Sequence, residues 1–119
     1  MSPGVDDEAA RELIASARDT VTERIAALSA DVTGMVAAFR DANADDEHDP
    51  EGSTIAFERA QMLALLDRAR AELDELDAAE RRLAAGTFGR CVRCGGAIGD
   101  ERLAARPAAG TCVACAARR

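Results

Sequence analysis

Two apolar heptad seams separated by an acidic breaker, with two Cys-x-x-Cys pairs after them, predict a mainly α fold. That fold is a long antiparallel two-helix coiled-coil hairpin followed by a small four-cysteine zinc finger. The 119-residue chain divides on this reading into a hairpin over 1–86, with an acidic tip near 41–52, and a finger over 87–119.

The first seam is Ile14, Val21, Ile25, Leu28, Val32, Met35 and Phe39, at steps of three, four or seven. Such spacing keeps one apolar stripe on a single continuous helix of roughly 35–40 residues, about 55 Å at 1.5 Å per residue. Asp6, Asp7 and Glu8 suit its start, where acids meet the unpaired N–H groups and the positive end of the helix dipole. Gly34 is the one weak interior position, costing about 1 kcal/mol relative to alanine.

After Phe39 the seam stops, and Asn43, Pro50 and Gly52 break the periodicity within a run of acids. Asp49 reads as a helix cap, Pro50 as the first helical residue and Glu51 as a favourable early acid. The second seam is Ile55, Met62, Leu66, Ala69, Leu73, Leu76 and Leu83, with Glu80 falling on it near the end. Gly86 is placed to end this helix in the left-handed conformation, and Phe88 to pack back on its last turn. The short connection favours pairing within one molecule, so a monomer is expected. The acidic tip would then stand some 50 Å from the cysteines, at about 1.5 Å per residue.

Cys91 and Cys94, then Cys112 and Cys115, have the spacing of a four-thiolate zinc site. Each short turn aims two sulfurs at one point, and the stretch between the pairs is long enough to fold back and complete a tetrahedron. Gly95 directly after the first pair allows a positive φ, so backbone N–H groups can point at the sulfurs. One structural Zn²⁺ is expected, with no open coordination position for hydrolysis and hence no enzyme. Disulfides would require an oxidising compartment. The first eight residues lack a basic segment followed by an apolar one, so the chain is expected in the cytoplasm. Ile98 and Leu103 should form a miniature core under the metal, and Asp100 should cap a brief helix over 101–106 that Pro107 ends. With four residues after Cys115, no C-terminal helix is expected.

Composition sets the partners. Hydrophobic content is 48%, largely alanine, with three Phe and no Trp or Tyr, too little bulk for a large globular core. The formal charge of −7 becomes about −9 with Zn²⁺ on four thiolates, which phosphate backbones repel; direct sequence-specific DNA binding is not expected. No membrane association is expected either. His48, the single histidine, reads as an exposed polar residue of the tip. Arg90, Arg93, Arg102 and Arg106 surround the thiolates, where they can neutralise the metal site or dock an acidic surface.

The run from Phe88 and Gly89 through the cysteines, with Ile98, Arg102-Leu103 and Arg106-Pro107 between the pairs, resembles the DksA/TraR family zinc finger. The hairpin before it is similar to that family's coiled coil in length and position. The resemblance implies a transcription regulator that binds RNA polymerase through the secondary channel, with the hairpin tip toward the active site, often together with a nucleotide alarmone. It also assigns the polymerase contact to the tip, where Asp45, Asp46, Glu47, Asp49 and Glu51 are the candidates. The family's tip motif is Asp, two residues, Asp, one residue, Ala; the nearest fit here puts Asp49 first, Gly52 second and Thr54 last. The family's longer members also carry an N-terminal extension and a C-terminal helix that this sequence does not match.

Two other function classes fit the same elements. A structural or adaptor protein would use the hairpin to bind another helix through Phe57, Leu63 and Leu65. A stimulator of transcript cleavage would hold Mg²⁺ with its tip acids, but such factors lack this finger.

Overall fold

In the computed structural model, the described residues are 6–45 and 50–118, with side chains described at all of these except 38, 39, 41–45 and 50–53. Four helices follow in order: α1 (Asp7–Asp45), α2 (Pro50–Ala85), α3 (Asp100–Ala105) and α4 (Val113–Ala117). Among the described residues no strand forms, only an isolated antiparallel bridge between Arg90 and Ala97. The mainly α expectation is met.

α1 starts where the acids predict. The Asp6 carboxylate accepts from the Ala9 N–H at 2.7 Å, filling one of the donors that a helix start leaves unpaired. The helix then runs through Gly34 and on to Asp45, beyond the end of the apolar seam. α2 begins at Pro50, whose missing N–H costs nothing at a first helical position. Its end is a Schellman turn: Thr87 N–H donates to Arg82 O at 2.8 Å and Gly86 N–H to Leu83 O at 3.2 Å, with Gly86 at φ 79°.

The chain forms two compact units, Met1–Thr20 with Glu72–Arg119, and Val21–Ala71. In the first, the early part of α1 packs against the late part of α2, where the Arg18 guanidinium pairs with both Asp77 and Glu80, the latter at 2.9 Å. Ala10, Ile14, Leu76 and Ala79 are buried there. Glu80 does not enter the seam: it is exposed and paired with Arg18, and Ala79, wholly buried, takes the interior position. In the second unit Val21, Leu66 and Ala69 are buried, while Ile25, Leu28, Val32, Met35, Ile55 and Met62 are half-buried. Half-burial suits a two-helix pair, in which each seam has a single facing helix.

The finger's own core is Cys91, Ile98, Leu103, Ala109 and Cys115, with Phe88 and Cys112 packed against it. Phe88 thus belongs to the finger's core. Two further boundaries differ from expectation. Gly99, at φ 102°, is the cap of α3 and Asp100 its first residue. A C-terminal helix does exist, the five residues of α4, and it carries Cys115. The Sγ of Cys112 caps it by accepting from the Cys115 N–H at 3.5 Å.

Candidate metal centre

Each cysteine pair sits on a knuckle built from local backbone bonds. In the first, Gly95 N–H donates to Cys91 O at 2.9 Å and Cys91 N–H to Gly96 O at 2.7 Å. Gly95 has φ 76°, a conformation with a steric cost for any residue bearing a Cβ, so glycine is required at this turn. The turn brings the Gly96 N–H within 3.4 Å of the Cys94 sulfur. The second knuckle is the start of α4, where Cys112 and Cys115 lie one helical turn apart. The Ile98 N–H donates to Gly89 O at 2.9 Å and closes the first knuckle, and the Val92 N–H donates to Gly110 O at 2.8 Å and ties it to the turn before the second.

The result is a cluster in which the four sulfurs all lie within 4.8 Å of one another, with Cys94 and Cys112 at 3.9 Å. Four sulfurs at about 2.3 Å from one tetrahedral zinc stand roughly 3.8 Å apart, so the cluster fits that ion with little adjustment. Cys91 and Cys115 are buried, Cys112 is half-buried and Cys94 is exposed. The structure therefore brings together all four residues that the spacing singled out.

Electrostatics points the same way. The Cys112 and Cys94 backbone N–H groups, in that order, hold the Cys91 thiol down to about 6. The Cys115 N–H lowers Cys112. Cys115 moves the other way, pushed up to about 12 by the neighbouring Cys112 and Cys91 sulfurs. Sulfurs this close cannot all carry negative charge by themselves, and a divalent cation removes the conflict.

Arginines tie the outer shell. Arg93 donates to Cys115 O at 3.3 Å and to Arg118 O at 3.0 Å. Arg102 donates to Thr111 O at 2.8 Å, next to Cys112. From α2, Arg82 reaches Ala108 O at 3.3 Å. Sequence reasoning named Arg93 and Arg102 as basic neighbours but missed Arg82, whose helical numbering gives no hint that it touches the finger.

Asp46, Glu47, His48 and Asp49 lie outside the described residues, as do the side chains of Asp45 and Glu51. Among the described residues no helix is long and apolar enough to cross a membrane.

The model of the prokaryotic dksA/traR C4-type zinc finger matches residues 86–119. No curated protein matches the chain in sequence. Among solved structures the chain is similar to transcription factor DksA2 from Pseudomonas aeruginosa, at 30% sequence identity and a TM-score of 0.53, over 90% of this chain and 82% of that one. The likeness extends well upstream of the finger into both long helices, and with the clustered thiols it makes this chain a member of the DksA/TraR family, carrying one structural zinc.

Proposed function

We propose that the chain is a zinc-stapled transcription regulator of the DksA/TraR type, one that binds RNA polymerase through its secondary channel with the hairpin tip toward the active site. The observation that carries this reading is the likeness to a DksA2 transcription factor through the helices as well as the finger. On this reading Cys91, Cys94, Cys112 and Cys115 hold the single Zn²⁺, and the division into a hairpin over 1–86 and a finger over 87–119 separates a reaching part from a stapled base. Asp45, Asp46, Glu47, Asp49 and Glu51 make the polymerase contact.

The physics supports a partner that is neither DNA nor a small substrate. Four thiolates fill the zinc's coordination, leaving no position for an activated water, so the protein has no catalysis of its own. The net formal charge of −7 opposes binding to phosphate backbones. Acids at the tip are suited instead to mobile basic elements or to the metal of the polymerase active centre. The protein acts as a monomer in the cytoplasm.

The test is substitution of Asp45, Asp46, Asp49 and Glu51 by Asn or Gln. Binding to RNA polymerase weakens by about tenfold or more, and the loss shrinks at high salt because screening has already removed part of the attraction. Unchanged binding in low salt contradicts a tip-driven contact.

A second reading rests on α2. Phe57 is 63% exposed and Leu65 45%, two large apolar side chains eight residues apart that a solvated helix face does not need. An adaptor that binds another helix would use them and would ignore the tip substitutions.

A further inference from the structure

We propose that Arg82, on α2 and outside the matched finger, is a positioning residue for the zinc site, holding the 108–111 turn that delivers Cys112. The argument rests on the assignment of the four thiols as zinc ligands.

Arg82 holds the finger at two places in the chain. Its carbonyl accepts the Thr87 N–H at 2.8 Å, which fixes the exit from α2, and the Thr87 hydroxyl at 3.3 Å. Its guanidinium donates to Ala108 O and lies flat enough against Gly110 that a Cβ there would meet it at 3.7–3.8 Å. Gly110 O in turn accepts from Val92 N–H, beside Cys91, and Thr111 O accepts from Arg102. The turn before Cys112 is thus held from three sides, and one of the three belongs to the coiled coil.

Arg82 is not an ordinary surface arginine. Its Nε is buried and has no hydrogen-bond partner among the described residues, whereas Arg81 on the same turn is exposed. A guanidinium gives up water at a cost, and the contacts that offset that cost here are with the finger turn. Small finger modules gain folding energy from their metal and lose it when a knuckle is free to move. A side chain that narrows the positions open to Cys112 therefore slows the first step of zinc escape, the departure of one thiolate.

The experiment uses the full-length zinc-loaded protein, with zinc release followed by a chromogenic chelator in excess. Arg82→Met, which keeps the stem but removes every donor, releases zinc about tenfold faster, the scale of one charge-assisted hydrogen bond. Arg81→Met behaves as the parent protein, and Arg82→Lys recovers part of the loss by offering an ammonium donor without the planar guanidinium fork. Amide exchange in the zinc-saturated proteins gives a second measure: the N–H groups of Gly110, Thr111 and Cys112 exchange faster in Arg82→Met while those of α1 do not change. Equal release by Arg82→Met and the parent, equal acceleration by Arg81→Met, or unchanged exchange at 110–112 overturns the proposal. Zinc content of the parent and of Cys112→Ser is measured first: a parent without zinc defeats the ligand assignment itself, whereas a zinc-loaded parent with an inert Arg82 defeats only the positioning role.

Discussion

At the scale of single residues, the thiols of Cys91 and Cys115 are the most informative groups, because neighbouring atoms move them in opposite directions. Without metal, Cys115 keeps its proton at neutral pH and zinc must displace it. Cys91, held at about 6, is largely ionised there and releases little. Its lowered value favours the folded knuckle in full only above the ordinary thiol value of 9.0; that contribution shrinks as pH drops below it and is gone once pH has fallen through about 6. The apparent zinc affinity therefore falls as pH drops, and more steeply below pH 6, where the Cys91 proton also has to leave. Competition against a chelator from pH 8 to pH 5 measures this; a slope that does not steepen across pH 6 contradicts the ordering. Cys112→Ser removes a zinc ligand but leaves a hydroxyl that can still cap α4, so the finger loses zinc and is digested by protease within residues 87–119, while circular dichroism retains most of the helical signal. A digestion pattern like the parent's would show that the metal does not staple the finger.

The elements of the hairpin were legible wherever bulky residues mark one face. Ile14, Val21, Leu66, Ala69 and Leu76 are buried as their spacing requires. Alanine hid the rest. In a sequence this rich in it, Ala10 and Ala79 carry no more signal than the alanines of the exposed faces, yet both are fully buried. The same ambiguity put Glu80 on the seam, one residue past the true interior position. Because Ala79 has no exposure at all, Ala79→Leu overfills its site and costs about 1–3 kcal/mol, a loss that thermal unfolding followed by circular dichroism detects. A melting temperature equal to the parent's would mean that the helices separate there without cost. The short finger helices were harder to read for a different reason. Gly99 replaces Asp100 as the cap of α3, and α4 is nucleated by a sulfur acceptor, a group that backbone propensity does not count. The four cysteines, by contrast, cluster as their spacing requires.

For the whole molecule, the charges of the sequence are unevenly shared. The acids are concentrated in residues 1–86, whereas Arg90, Arg93, Arg102, Arg106, Arg118 and Arg119 in the finger face only Asp100 and Glu101. Under the proposed function, the acids of the hairpin part are the ones offered to the polymerase. The most direct test is a titration of the zinc-loaded protein against purified RNA polymerase from its own host, with and without a known secondary-channel factor as competitor. The proposed function predicts saturable binding that the competitor displaces. Absence of binding at micromolar concentration, or binding that the competitor leaves untouched, would contradict it.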